Sequence, residues 1–273
     1  MNLSIIKLIK ERRDSMNQTI ETLLYRASLR KYNDKPISQE DLDIILESAM
    51  RAPTAGNMMP YSIIVIRDEK MKETLSHTCD EQPFIKNASV LLVFVADYQK
   101  WFDYYRINDV EKFCEANNRE YQGPNESSLF LALQDALIAC QNAVIAGESL
   151  GIGSCYIGDI MENFETHQSL LHLPKYAFPC AMLTLGYYPL GYHKTLRNRF
   201  DRKYVVFNEL YQKLSDDEIK DMYQHLDKNF SKENNFNASN YAQFHYARKT
   251  NSDFSKEMTR SIKETLNIWN GKL

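Results

Sequence analysis

The segment after Pro36 has apolar residues spaced as on one face of a helix, with polar residues between them. Ser38 followed by Asp41 matches the pattern of an N-terminal capping box. The helix should end before Pro53, because the residue that precedes a proline is disfavoured in a helix. A shorter helix is predicted over 16–24. The apolar face of the longer helix consists of Leu42, Ile45, Leu46, Ala49 and Met50.

Three short apolar runs bounded by polar residues predict β-strands over 62–66, 90–96 and 181–187. The longer run 127–150 is apolar almost all the way round, which is typical of a helix buried on every side, inside the domain or inside a subunit interface. Gly151 follows it directly and favours a helix end there. Because strands alternate with helices, the fold class is α/β or α+β.

Beyond Tyr211 the chain is more polar. The pattern predicts a polar helix over 215–225, an Asn- and Ser-rich loop over 230–241 and one final helix. The apolar face of that helix is too small for a separate core, so we expect the tail to pack on the main body or on a partner subunit. Its four apolar positions are Met258, Ile262, Leu266 and Trp269.

Composition narrows the classes of function. Hydrophobic residues make up 44% and charged residues 25% of the 273 residues, and the formal net charge is −3. This balance is typical of a globular protein and gives no support to nucleic-acid binding. No apolar run is long enough to span a membrane, and the first fifteen residues lack the pattern of a secretory signal. With five cysteines and no CxxC motif, we predict a cytoplasmic protein with reduced thiols and no membrane partner.

Two clusters of arginine could bind an anion. Arg26 and Arg30 flank Ser28, and guanidinium forks and a hydroxyl can share one phosphate. Arg197 and Arg199 alternate as in an extended segment and could face a single phosphate. In isolation each cluster also fits a solvated basic loop, and that alternative is favoured for either one alone.

Two loops contain small residues beside hydrogen-bonding groups. In the loop 52–60, small residues would let the backbone approach a planar ligand, and Thr54 and Asn57 could supply hydrogen bonds to it. A plain connecting loop fits this segment equally well. The stretch 151–159 is not a dinucleotide fingerprint, because Tyr156 stands at the third glycine position and a helix precedes it. The backbone of this stretch instead indicates close contact with a flat group.

The usual catalytic arrangements do not occur in this sequence. There is no metal-binding histidine motif and no nucleophile elbow. His77, His167 and His172 are expected on helix surfaces. A bound cofactor would therefore have to carry any chemistry.

These elements, in this order and at these separations, resemble the nitroreductase family of FMN-dependent oxidoreductases, and most closely its larger NfsA-like branch. The resemblance implies an α+β fold with a mixed, mainly antiparallel sheet wrapped by helices. It also implies a homodimer with FMN at the interface and a C-terminal helical extension. The chain would then comprise an N-terminal extension (1–18), an FMN-binding domain (19–212) and the C-terminal helical extension (213–273), packed on the domain or the partner.

The resemblance assigns roles to individual residues and implies no catalytic side chain. Arg26 and Ser28 match contacts to the FMN phosphate and ribityl chain, and Arg30 matches the basic residue that tunes the flavin. Thr54 and Asn57 match a loop that comes from the other subunit. Gln82 matches a side chain that reaches the flavin ring. The backbone of a four-residue stretch matches the part that lies against the ring, and it comprises Tyr156, Ile157, Gly158 and Asp159. Arg197 and Arg199 match the residues that clamp the phosphate.

The implied mechanism is ping-pong, in which NADH or NADPH delivers hydride to flavin N5 and a small planar acceptor then takes the electrons. Nitroaromatics and quinones are the acceptors that the resemblance implies. A flavin reductase and a non-catalytic flavin-binding protein are the alternatives. The region 227–235 lacks the arginines of NADPH-preferring members, so NADH is slightly favoured, although Lys228 and Lys232 could substitute in part. Met59 also departs from the glutamine that many members have.

Overall fold

The computed structural model describes residues 17–271. Its four strands are β1 (Tyr61–Ile66), β2 (Val90–Asp97), β3 (Ile152–Ile157) and β4 (Ala177–Tyr187). They form one sheet in the order β1-β2-β4-β3, and all neighbouring strands are antiparallel. A parallel bridge between Ser28 and Ser154 extends the pairing at β3. The α+β class and the mixed, mainly antiparallel sheet are therefore confirmed.

The helices, in chain order, are α1 (Gln18–Tyr25), α2 (Gln39–Met50), α3 (Glu69–Thr78), α4 (Gln99–Ile107), α5 (Val110–Ala116), α6 (Glu126–Ser149), α7 (Phe164–Leu170), α8 (Asp216–Asp227), α9 (Tyr241–His245) and α10 (Asp253–Trp269). The chain divides into two compact units. One comprises Thr22–His193 and the chain from Glu257 onward, and contains the sheet. The other comprises Lys194–Lys256 with the described residues before Thr22. The domain boundaries that the sequence suggested, after residue 18 and after residue 212, stay a prediction.

Strand β2 separates two hydrophobic cores. All eight of its residues are buried. Successive side chains of a strand point to opposite faces, so Leu92 and Phe94 join one core while Leu91 and Val93 join the other. The strong apolar run that predicted this strand reflects that burial on both faces.

The sequence pattern did not reveal β3. Its residues include Gly153 and Ser154, and Tyr156 is 37% exposed, so no apolar run marks it. Pairing with β4, from Ile152 opposite Tyr187 to the other end of the strand, makes the segment extended. Tertiary pairing therefore decides the structure here.

Helix α2 begins and ends as predicted. The Asp41 backbone N–H donates to Ser38 Oγ over 3.0 Å, and the last helical residue is Met50. The helix packs on α6, in part through Leu42 and Ile45, which are buried.

Helix α6 covers the sheet with one face only. Ala132, Ala136 and Ala139 are fully buried, whereas Phe130 and Leu137 are 58% and 44% exposed. Burial on every side inside the domain is therefore not observed, and burial of the exposed face inside a subunit interface stays a prediction. By length and composition this helix is able to cross a membrane, so the prediction that no apolar run is long enough was wrong. Its alanine face nevertheless packs against the strands as in a core helix.

The C-terminal part of α10 belongs to the unit that contains the sheet. Its buried positions are Ser261, Thr265 and Trp269. The prediction that Trp269 belongs to the packed face is therefore confirmed, whereas Ile262, at 36% exposure, lies outside that face. Small hydroxyl residues form this face because their oxygens find partners: Ser261 Oγ accepts from the Phe164 backbone N–H at 3.2 Å.

The unit that contains Lys194–Lys256 is built from short helices and loops. Helix α8 begins at a complete capping box, in which Ser215 and Glu218 bind each other's backbone N–H. Asp221 on this helix accepts hydrogen bonds from Lys203, at 3.2 Å, and from Tyr204. The predicted polar helix is confirmed, and the predicted Asn-rich segment is mostly loop.

Candidate active site

The segment that carries the first arginine cluster lies beside β3. Ser28 forms the parallel bridge to Ser154, and the Leu29 backbone N–H donates to the Ser154 carbonyl over 2.9 Å. Leu29 is fully buried, while Ser28 and Arg30 are exposed. Side chains of an extended segment alternate between faces, so burial of Leu29 turns its neighbours outward.

Two glycines give this segment room to lie on the sheet. A Cβ atom on Gly153 would stand 2.6 Å from Leu29, and one on Gly186 would stand 2.5 Å from Tyr32. Both distances are too short for any side chain to be accommodated without movement. The Tyr32 hydroxyl is also fixed, since it lies 2.6 Å from Thr184 Oγ1. The glycines therefore position the arginine cluster through its anchoring residues.

Arg26 has an unsatisfied donor. Its Nε atom is buried and has no hydrogen-bond partner among residues 17–271. Burial raises the pKa of the Tyr156 and Tyr188 phenols, and the nearby positive charge of Arg26 acts in the opposite direction. A buried guanidinium donor without a partner is the group that an incoming anion would satisfy.

Arg30 lies close to Cys155 of the same strand. Its guanidinium carbon lies 5.7 Å from the centre of the Phe84 ring, which is a cation–π distance. Burial raises the pKa of the Cys155 thiol, and Arg30 and Ser28 lie close enough to oppose that shift. The structure thus brings both members of the cluster to the middle of β3.

The end of β3 offers backbone to a ligand. The Ile157 side chain is buried in the second core, so only its backbone can face outward. Gly158 is exposed, and no heavy atom of the described chain lies within 4 Å of where its Cβ would be. The structure leaves open space at the position where the resemblance places a flat ring.

Gln82 and Asp159 are brought together from different parts of the chain. Gln82 Nε2 donates to Asp159 Oδ2 and to the Cys79 carbonyl, each at 2.8 Å. Both amide hydrogens are therefore used, and the amide orientation is fixed because a flipped oxygen would face two acceptors.

Two buried groups near this contact were missed or misplaced by sequence analysis. Glu162 is only 4% exposed, although a single glutamate in a loop gives no periodic signal of burial. His167 is fully buried, which contradicts the expected surface position. Its ring nitrogens lie 2.9 Å from the Ile160 carbonyl and 2.8 Å from Thr78 Oγ1, and these partners allow a polar ring to be buried.

Thr54 and Asn57 have different surroundings within the subunit. The Thr54 hydroxyl donates to Asp135 over 2.5 Å and accepts from the Met59 backbone N–H at 2.9 Å. Asp135 is 4% exposed and also accepts from Ala55 N–H at 3.0 Å. Asn57 is exposed, with a left-handed backbone at φ 56°. Thr54 thus anchors its own loop, and Asn57 is the more accessible of the two; contact with a second subunit's cofactor stays a prediction.

Arg197 and Arg199 belong to the other compact unit. Both are exposed, in a segment without regular secondary structure. Arg199 Nη1 donates to the Arg197 carbonyl over 3.3 Å, so the two arginines are linked by a local hydrogen bond. Its role as the second half of a phosphate clamp remains a prediction. Within the part of the chain that the structure describes, no group of three His, Cys, Asp or Glu residues could hold a metal ion.

The comparisons with known proteins agree with this arrangement. Residues 23–187 match the model of the Nitroreductase family. The chain is 34% identical over 216 residues to an FMN reductase (NAD(P)H) of Bacillus subtilis (strain 168), covering 79% of this chain and 82% of that enzyme.

Solved structures give the same result. The chain is similar to NfrA2 of B. megaterium, with a TM-score of 0.72 and 27% identity over 92% of this chain and 98% of that one. It is also similar to nitroreductase A from Vibrio parahaemolyticus RIMD 2210633, with a TM-score of 0.75 and 25% identity at the same coverages. The NfsA-like branch within the family stays a prediction. Because the family model matches more than half of the chain, the chain belongs to the nitroreductase family.

Proposed function

We propose that the chain is an FMN-dependent oxidoreductase that takes electrons from NADH or NADPH and passes them to small planar acceptors. The observation that carries the proposal is the buried Nε of Arg26, which has no hydrogen-bond partner in the described part of the chain and lies near Ser28 on the edge of β3. The names of relatives support the cofactor, since the B. subtilis relative is called an FMN reductase that uses NAD(P)H.

The residues present fit FMN. Arg26 would donate to the phosphate, and the exposed Ser28 hydroxyl could share it or the ribityl chain. Gly158 leaves open space beside backbone for a flat ring. Both amide hydrogens of Gln82 are bound, so the side-chain group with which it would contact a ring N–H is its carbonyl oxygen. When bound, FMN would carry two electrons from the nicotinamide to the acceptor.

Arg30 would act through its charge. It is exposed and stacked near Phe84, so the ring limits its movement while the guanidinium remains available. A fixed cation stabilises negative charge that develops on a neighbouring group during electron transfer. In this proposal Arg30 tunes the cofactor through the charge of its guanidinium.

The site would be completed in a homodimer. Helix α6 exposes an apolar stripe at helical spacing, which contains Phe130, Leu137 and Ile138. A second copy covering this stripe would remove its apolar side chains from water. Asn57 would then contribute to the partner's FMN. A cytoplasmic location is part of the same proposal.

Nitroaromatics and quinones are the proposed acceptors, because an open ring-facing site selects flat molecules. Free flavin is the second candidate acceptor, and the names of relatives favour it. Steady-state rates with a nitroaromatic, a quinone and free FMN, at equal protein concentration, separate the two functions.

Anaerobic reduction tests the proposed function directly. Protein purified with FMN should lose its flavin absorbance when NADH or NADPH is added, and an acceptor should restore it. NADH is expected to act slightly faster, since the tail supplies lysines in place of arginines for a 2′-phosphate. If the bound flavin stays oxidised with both donors, the protein is a non-catalytic flavin binder and the proposal is wrong.

The proposed phosphate clamp has its own test. Replacing Arg197 and Arg199 together by alanine should raise the dissociation constant for FMN by about a hundredfold, because two charge-assisted contacts are lost. The matched control replaces Arg67 and Arg106, two exposed arginines outside the site. If the two double variants retain FMN equally well, Arg197 and Arg199 do not bind the phosphate and the assignment is wrong.

A further inference from the structure

A cavity of about 200 Å³ is lined by residues between the end of β2 and the first turn of α6. It lies within the unit that contains the sheet. Four aromatic rings line it, those of Tyr98, Phe102, Tyr105 and Tyr121, and each of them is only half-buried. Seven of the 24 residues in 98–121 are aromatic, against 12% in the whole chain, so rings are concentrated in this segment. The proposed function uses none of these side chains.

The walls of the cavity are held by contacts outside it. The Phe102 ring packs edge-on against Tyr176, with 4.9 Å between the ring centres. The Tyr105 ring lies 5.7 Å from Trp101, whose Nε1 donates to the Met58 carbonyl over 2.8 Å. Because these contacts would break if the rings moved inward, the space is preformed. A preformed site loses little conformational freedom when a ligand binds.

The lining defines the chemistry of a ligand. Aromatic walls favour a flat ring, which can stack offset or edge-on against them. Among residues 17–271 no charged side chain lines the cavity, so an ion would lose its hydration there without compensation. Gln122 and Ser128 add hydrogen-bonding groups to the lining. Burial raises the pKa of the Tyr98 and Tyr121 phenols, so both hydroxyls are neutral at pH 7.

The volume limits the size of the ligand. A cavity of about 150 Å³ holds one benzene ring, so about 200 Å³ accommodates a substituted single ring or two fused rings. We propose that this cavity binds neutral, flat aromatic molecules of one or two rings that carry a hydroxyl or carbonyl group. None of the residues assigned to FMN lines the cavity, so the inference does not depend on the proposed function.

The probe is 2-naphthol, which has two fused rings and one hydroxyl and is neutral at pH 7. Binding to the purified protein is measured by isothermal titration calorimetry. The absorbance of bound flavin is recorded in parallel, because a ring that stacks on the flavin perturbs it. We expect an unchanged flavin spectrum and a dissociation constant between about 10 µM and 1 mM, the range for a ligand of this size. No binding at about 3 mM, above this range, overturns the inference.

Tyr121→Leu tests whether the ligand occupies the cavity. Tyr121 is half-buried in a stretch without regular secondary structure, so its replacement should leave the fold intact. Loss of one stacking ring should raise the dissociation constant for 2-naphthol about tenfold. The matched control is Tyr246→Leu, the same change at an exposed tyrosine that does not line the cavity, and it should bind as the wild type does. Equal binding by the two variants, or a perturbed flavin spectrum in the wild type, places the ligand elsewhere and overturns the inference.

A ligand series on the wild type tests the chemical class without any variant. Naphthalene-2-sulfonate keeps both rings but is charged, and decahydro-2-naphthol keeps the hydroxyl and the carbon skeleton but is not flat. Each should bind at least about tenfold more weakly than 2-naphthol, since the first meets no compensating cation and the second cannot stack. If either binds as tightly as 2-naphthol, the cavity does not select neutral aromatic molecules and the inference is overturned.

Discussion

Gly153 on β3 and Gly186 on β4 stand directly opposite each other, and Leu29 and Tyr32 occupy the space that their side chains would fill. Gly186→Ala should lower the free energy of unfolding by about 1–3 kcal/mol, because overpacking displaces the tyrosine ring. Chemical denaturation measures the loss. Gly123→Ala, where no heavy atom of the described residues lies within 4 Å, is the control and should be unchanged. Equal stabilities would mean that the segment after Arg26 is free to shift.

Gly158→Ala separates cofactor binding from folding. The backbone at this glycine has φ −80° and ψ −23°, which alanine adopts readily, and the added methyl meets no neighbour within residues 17–271. Stability should therefore stay the same. The FMN dissociation constant should rise at least about tenfold, because the methyl occupies the space proposed for the ring. Unchanged FMN affinity would place the ring elsewhere.

Thr54→Val tests whether this threonine anchors its loop. The change removes the donor to buried Asp135 and the acceptor for the Met59 N–H. We expect a loss of about 1–3 kcal/mol of stability, measured by denaturation. Asn57→Gly, which suits the left-handed backbone at φ 56°, should keep the stability and weaken FMN binding. If Asn57→Gly lowers the stability and Thr54→Val weakens only FMN binding, then Asn57 anchors the loop and Thr54 contacts the cofactor.

We expect Glu257 to contribute to the free energy of unfolding in a way that is sensitive to acid. Hydrogen bonding to Arg260 lowers its pKa from 4.5 to about 2. The folded state therefore binds fewer protons than the unfolded state between these values, so this contribution is present above pH 4.5 and is lost as the pH falls toward 2. Glu257→Gln should cost about 1 kcal/mol at pH 7, since the pair is partly exposed, and little at pH 2.

Thermal unfolding at the two pH values measures the difference. Glu115→Gln, at an exposed position on α5, is the control and should match the wild type throughout. A deficit of equal size at pH 2 and pH 7 would mean that the charge of Glu257 does not contribute.

The sequence by itself determined the elements whose signals are local. Helix α2 follows from its capping serine and apolar spacing, and β2 from its continuous apolar run. The order and spacing of the arginine cluster and the two loops were enough for the resemblance to the family, which the family match confirmed. Each of these signals is contained in residues that are neighbours along the chain.

Only the tertiary structure decided which residues meet. Strand β3 exists because β4 pairs with it, and α6 exposes Phe130 because the sheet covers only its other face. The contact between Gln82 and Asp159, and the burial of Glu162, join segments far apart in sequence. Burial and pairing of this kind depend on the whole packed chain, so no local pattern of hydrophobic and polar residues specifies them.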